Sequence, residues 1–288
     1  MTKQLQVTPI SEIVEPANTP IGIFDSGVGG LTVLAKVQQA LPGESIIYVG
    51  DTANAPYGGK SYDELLQHAR DIINFLRGQG VKAVVLACGT TSSTVYRQLV
   101  KEYPDIPLID VIRPGVNACV ELASQNPDLR IGLIATAATV NSGLFAKLLT
   151  DEKPDTSLLT QACPLFAPMV EAGVTHGLIA KWAVEAYIDS WRGNVDALVL
   201  GCTHYPLLSG TLSSVLGADV QLIDMATHAT QALKAQLIAV GCLHDGDSLP
   251  YSKFYVSGNP DNFNKTARFI LNREVNAQRL YQDYGGQT

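Results

Sequence analysis

Seven short apolar runs set the terms for any fold of this chain: IGIFD (21–25), SIIYVGD (45–51), KAVVLAC (82–88), IPLIDV (106–111), RIGLIAT (130–136), DALVLGC (196–202) and VQLID (220–224). Each is nearly continuous in its apolar character rather than alternating. A strand that is apolar on both sides must be covered on both faces, the situation of a parallel sheet held between helix layers. Between the runs, GLTVLAKVQQALP, SYDELLQHARDIINFLRGQG and VEAYIDSWRGN place apolar residues at helical spacing. Strands and helices in alternation predict an α/β protein with mainly parallel sheets. The strand–junction–helix unit recurs over 21–112 and again over 130–208, which predicts two similar three-layer α/β/α lobes. Pro114 with Gly115, and Asp224 at a strand end, mark the crossings between them. FYVSGNPDNFNKTARFIL reads as one more strand and helix returning to the first lobe. The expected division is therefore 21–112 plus 224–288 for the first lobe and 113–223 for the second. Residues 1–20, polar and proline-containing, read as a loosely ordered extension.

Charge and cysteine usage narrow the function. With 20 basic and 27 acidic residues the net charge is −7, the wrong sign for binding nucleic acid or an anionic membrane surface. No apolar run approaches the roughly 18 residues that span a bilayer, and the first twenty residues lack the apolar core of a secretory signal. The five cysteines, Cys88, Cys119, Cys163, Cys202 and Cys242, form an odd set without a C-x-x-C pair. That spacing suits neither a disulfide framework nor a structural metal site, and points to free thiols in a reducing cytoplasm.

Two of the cysteines share a context. VLACGTTSST and VLGCTHYPLL each end an apolar strand at a cysteine followed by small or hydroxyl-bearing residues. If a helix starts after Cys88, its N-terminal N–H groups favour the thiolate. Cys202 holds the equivalent position, with His204 two residues on to accept or orient a proton. Such a pair admits a disulfide switch, a single nucleophile with a base, or two acid/base thiols on opposite faces of one carbon. The third uses both: one face loses a proton while the other gains one, and the centre inverts. A carbanion-like state would need dense hydrogen bonding, for which Thr90, Ser92, Thr203 and backbone N–H groups are at hand. Two further junctions, DSGVGG (25–30) and GDTANAPYGGKS (50–61), follow strands. Asp25 ends the first strand where ligands of open α/β sheets bind, the glycines after it permit close backbone approach, and Tyr57 offers a hydroxyl.

IGIFDSGVGGLTVL, YVGDTANAPYGGKS, VVLACGTTSS, IGLIATAATVNSGLF, ACPLFAPMVEAG, LVLGCTHYPLL and FYVSGNPDNF, in this order, resemble the glutamate racemases of the aspartate/glutamate racemase superfamily. The resemblance implies an active site in a cleft between two α/β lobes, and racemisation of glutamate without pyridoxal phosphate, other cofactor or metal. It also implies a cytoplasmic homodimer whose D-glutamate feeds peptidoglycan. By position Cys88 is expected to act on D-glutamate with help from Asp25, and Cys202 on L-glutamate with help from His204. Asp25, Ser26, Pro56, Tyr57, Gly58, Gly89, Thr90, Thr136, Thr139, Glu171, Thr203 and His204 are expected to hold the substrate. Three positions depart from the family. Gly89 stands where Asn is usual, which removes a side-chain amide expected at the substrate, worth about 1–3 kcal/mol. Arg113 replaces a common Glu, and Asn54 a frequent Arg. Gly89 also leaves room for two other readings: a racemase of another acidic amino acid such as aspartate, or a weakly active homologue with a binding role.

Overall fold

The computed structural model describes residues 16–244 and 249–280; of the expected N-terminal extension, 1–15 lie outside the described residues. Among the described residues, ten strands are distributed between two sheets. The first contains β1 (Ile21–Asp25), β2 (Ile46–Gly50), β3 (Ala83–Leu86), β4 (Leu108–Asp110), β9 (Ser252–Val256) and β10 (Ala277–Arg279), in the order β10-β9-β2-β1-β3-β4. The second contains β5 (Arg130–Ala135), β6 (Ser157–Ala162), β7 (Ala197–Leu200) and β8 (Gln221–Asp224), in the order β6-β5-β7-β8. Every pairing is parallel.

Both faces of each sheet are covered, which is why the central strands read as unbroken apolar runs. On β1, Ile21 and Ile23 pack with Leu31, Leu34 and Leu233, while Phe24 turns to the other face with Ile72 and Leu76. The second sheet repeats the pattern: Ile131 and Leu133 pack with Val116 and Phe145, and Ile134 and Leu198 with Phe166, Val184 and Trp191. The helix Tyr62–Gly78 starts where Ser61 and Glu64 close a reciprocal capping box, the Glu64 carboxylate accepting the Ser61 N–H at 2.8 Å. The helix Met225–Ala239 lies between the sheets, with Leu233 and Leu237 in one core and Met225 and Ala229 in the other.

Strand order fixes where a ligand goes. The chain leaves β1 for β2 on one side and returns to β3 on the other; it leaves β5 for β6 and returns to β7. Each lobe therefore has a topological switch point beside its central strand, where the loops after adjacent strands splay apart at their carboxyl ends. The first switch point carries the residues after Asp25 and after Leu86. The second carries those after Ala135 and after Leu200. All four segments meet in one cleft.

Candidate active site

A cavity of about 590 Å³ opens between the two sheets. From the loops of the first sheet it is lined by Ser26, Pro56, Tyr57, Gly58, Cys88, Gly89 and Thr90; from those of the second by Thr136, Glu171, Cys202, Thr203 and His204. The two cysteines thus face one space from opposite lobes. No lysine or arginine lines it among the described residues, so anionic groups placed there meet hydroxyls, backbone N–H groups and the His204 ring.

The two cysteine junctions are built differently. Cys88 is extended (φ −68°, ψ 120°) and immediately precedes the helix Gly89–Thr94, with the Ser92 N–H returning to its carbonyl at 2.9 Å. Cys202 has no helix directly behind it. A turn intervenes, then a 3₁₀ segment Tyr205–Leu208, and the helix Ser209–Leu216 begins seven residues on. His204 substitutes for that missing influence: its Nδ1 lies 3.6 Å from Cys202 Sγ, and its Nε2 lies 2.9 Å from Glu171 Oε1.

The expectation that the helix start favours a thiolate at Cys88 is overturned by burial. Burial first, then the charge of Asp25, push the thiol up to about 11, and the hydrogen bonds from Thr91 and with Ser26 only partly offset them. The Cys88 thiol is a proton donor, directed at Ser26 Oγ at 3.7 Å. His204 behaves in the opposite sense. Burial works to lower its pKa, yet the hydrogen bonds to Cys202 and Glu171 and the charges of Cys202 and Asp25 raise it to about 10. At neutral pH the ring is a cation between Cys202 Sγ and Glu171 Oε1.

Two residues expected at the ligand stand one layer behind it. Asp25 is fully buried; its Oδ2 accepts the Gly27 N–H at 3.1 Å and its Oδ1 has no hydrogen-bond partner. Burial lifts its pKa above the usual carboxylate value, against the pull of His204 and the N–H groups of Gly30 and Gly27. Thr139 is 1% exposed and accepts the Thr136 hydroxyl at 3.0 Å, so it acts on the cavity through Thr136. Tyr57 lines the cavity, but its hydroxyl is taken: it donates to Asp51 Oδ2 at 2.5 Å. The glycines after Asp25 also differ from one another. Gly27 lines the cavity, Gly29 abuts Thr203 and His204, and Gly30 abuts Asp25.

Asp51 is a residue the sequence reading passed over. It accepts from Tyr57, from Asn54 at 2.9 Å and from Ser257 at 2.6 Å, and Gly258 N–H donates to Thr52 Oγ1 at 3.1 Å. The loop that forms one wall of the cavity is thereby tied to the end of β9. Asn54, in place of a frequent Arg, serves this network rather than the ligand. Thr52, Ala55, Ala137, Pro164, Ala167 and Pro168 also line the cavity unforeseen; the two prolines were signalled within ACPLFAPMVEAG. Arg113 lies elsewhere, in a surface groove of about 640 Å³, paired with Asp110 at 2.9 Å and stacked on the Tyr96 ring. Among the described residues no three His, Cys, Asp or Glu side chains converge as a metal-ligand set, and no helix is long and apolar enough to cross a membrane.

Paired parallel α/β lobes with a thiol from each facing a shared cleft define the class of two-lobed racemases. The chain belongs to the Asp/Glu/Hydantoin racemase family, whose model matches residues 21–233. It is 40% identical over 265 residues to the glutamate racemase of Desulforudis audaxviator, covering 90% of this chain and 96% of that one. The solved glutamate racemase of Francisella tularensis, in complex with D-glutamate, superposes with a TM-score of 0.84 at 35% identity, over 93% of this chain and 99% of that one. That of Thermus thermophilus, in complex with beta-chloro-D-alanine, superposes with a TM-score of 0.81 at 36% identity, over 91% and 97% of the two chains.

Proposed function

We propose that this protein is a cofactor-independent glutamate racemase in which one of Cys88 and Cys202 takes the Cα proton and the other supplies a proton to the opposite face. The observation that carries the reading is the placement of both cysteines on one cavity, each at the switch point of its own lobe. A carbon held between them presents one face to each thiol. In the direction L to D, Cys202 removes the proton as His204 supplies positive charge beside it, and Cys88, held protonated by its surroundings, delivers a proton to the other face. The reverse direction exchanges the roles. The hydroxyls of Ser26, Thr90, Thr136 and Thr203 are available to hold the substrate's carboxylates and amine. Charge developing on the α-carboxylate in the transition state falls among fixed donors in a partly enclosed site, where such stabilisation is strongest. Asp25 acts from behind the wall, biasing the Cys88 proton through its charge. Membership of β1–β4, β9 and β10 in one sheet and β5–β8 in the other supports the division of the chain into lobes 21–112 plus 224–288 and 113–223. A cytoplasmic homodimer supplying D-glutamate to peptidoglycan completes the proposal, on the strength of the resemblance to glutamate racemases.

The test is direct. In deuterated water, pure L- or D-glutamate is expected to lose optical rotation and gain deuterium at Cα, while aspartate does not. Turnover of aspartate with none of glutamate would reject the substrate.

The Glu171–His204–Cys202 chain yields a pH prediction. Because the His204 pKa is raised from 6.5 to about 10 in the fold, its contribution to stability is full below pH 6.5, declines above it, and is gone above about 10. Glu171→Gln removes one of the groups that raise it. The alkaline limb of kcat/KM for L-glutamate is therefore expected to move down by about 1–2 pH units, measured as a full pH–rate profile. An unmoved limb would detach His204 from Cys202.

A further inference from the structure

We infer that Gly89 and Gly29 are positioning residues that set the separation of the two thiols, by allowing the cysteine-bearing junctions to touch across the cleft. The inference rests on the two-thiol reading of the site. Gly89 directly follows Cys88, and Gly201 directly precedes Cys202. A β-carbon on Gly89 would stand 2.6 Å from the Gly201 carbonyl oxygen, far inside van der Waals contact. One on Gly29 would collide with Thr203 Oγ1 and stand 2.5 Å from the His204 ring. The two glycines therefore bracket the 201–204 loop, one on each side of Cys202.

The contact at Gly89, backbone against backbone, cannot be relieved locally. The Gly201 N–H donates to the Ile134 carbonyl at 2.7 Å, and behind Gly201 the space is filled, since a β-carbon there would meet Ala135 and the Ile134 carbonyl at 2.7 Å. On the other side the Ala87 N–H donates to Phe24 at 2.9 Å, and Ser92 holds both the Leu86 and the Cys88 carbonyls at 2.9 Å. Each junction is pinned within its own sheet, so the soft coordinate is the distance between the lobes. Two hydrogen bonds cross between the lobes: the Thr32 hydroxyl donates to the Thr203 carbonyl at 2.9 Å, and the Thr90 hydroxyl donates to Thr136 Oγ1 at 3.0 Å, Thr136 in turn donating to Thr139. These two cross-lobe bonds, from Thr32 to Thr203 and from Thr90 to Thr136, hold closed what the missing β-carbons permit to close.

Proton transfer to and from carbon is more sensitive to that distance than substrate binding is. A methyl group at 89 would prop the lobes apart and lengthen both thiol-to-carbon paths, while leaving the polar donors of each lobe in place. The same holds for Asn at 89, the residue usual in the family. Fitted onto this backbone its side chain begins against Gly201, so it obstructs closure instead of restoring a lost substrate contact.

The experiment compares Gly89→Ala, Gly29→Ala and Gly89→Asn with wild type in glutamate racemisation, recording kcat, KM, the Cα-deuterium isotope effect in each direction and the thermal unfolding midpoint. The expected result is a kcat lower by roughly 10- to 100-fold with a larger isotope effect in all three, and, for the two variants at position 89, KM and midpoint close to wild type. An unchanged kcat in Gly89→Ala, a loss confined to KM, or a Gly89→Asn protein faster than wild type would overturn the inference. So would failure of both alanine variants to fold, which would mark the glycines as structural. A wild-type protein that turned over no glutamate would sink the reading of the site before any glycine was changed.

Discussion

Cys88→Ser is expected to lower net racemisation of both enantiomers by about 10²–10⁴-fold, the usual worth of a positioned acid or base, and to leave one half-reaction running. Cys202 remains in the variant and still faces its own side of the substrate. L-Glutamate should therefore exchange its Cα hydrogen with deuterated water without inverting, because the Cys202 thiol that has taken the proton can swap it with solvent and return a deuteron to the same face. D-Glutamate, which presents its hydrogen to the missing thiol, should neither exchange nor invert. Cys202→Ser is the mirror case, with exchange confined to D-glutamate. Serine is nearly isosteric but its hydroxyl is far too weak an acid to serve. Magnetic resonance of the Cα position, run beside polarimetry, separates exchange from inversion. Equal exchange of both enantiomers in either variant would eliminate the assignment of one thiol to each face.

Lys82→Ala is expected to cost about 3–5 kcal/mol of stability, the penalty for stranding a buried charge. Lys82 Nζ lies 2.5 Å from Glu44 Oε2, and both side chains are 2% exposed. The same ammonium donates to the Ala17 carbonyl at 2.7 Å, and the other Glu44 oxygen accepts the His244 N–H at 2.9 Å. One ion pair thus joins the approach to β1, the loop before β2, the residue preceding β3 and the segment after the helix Met225–Ala239. For a chain of this size the loss corresponds to a midpoint lower by about 10 °C. The double variant Lys82→Met with Glu44→Leu removes both charges together and is expected to recover most of that. A single-variant shift under about 2 °C would mean the pair is hydrated in solution.

The sheets were legible because β1, β2, β3 and β7 are buried on both faces and must be written in apolar residues without interruption. β6 was missed for the converse reason. SLLTQA lies at a sheet edge with most of its residues at least partly exposed, so it carries neither an unbroken run nor a clean alternation. β10 is three residues, Ala277–Arg279, and exists by virtue of pairing with β9. Within the site, Cys88, Cys202 and Asp25 could be found from their positions at strand ends. Glu171 and Thr136 came only through the resemblance, since neither has a local pattern to mark it. The thiol's raised pKa at Cys88 was misjudged because a helix start is visible in sequence and the depth of a cleft is not. The Gly89–Gly201 contact was invisible for the same reason: it joins residues that meet only when two separate sheets face each other.

The tie between the cavity wall and the end of β9 gives the order of synthesis a chemical meaning. Both cysteines exist once residue 202 has been made, before the helix Ser209–Leu216 and β8 that complete the second lobe. The 51–59 loop is fastened only when Ser257 reaches Asp51 and Gly258 reaches Thr52, and that requires β9 to have paired with β2. A chain still being translated therefore holds two thiols beside an unanchored wall. The enclosure is completed when the last part of the chain comes back to a cleft whose two cysteines were laid down long before it.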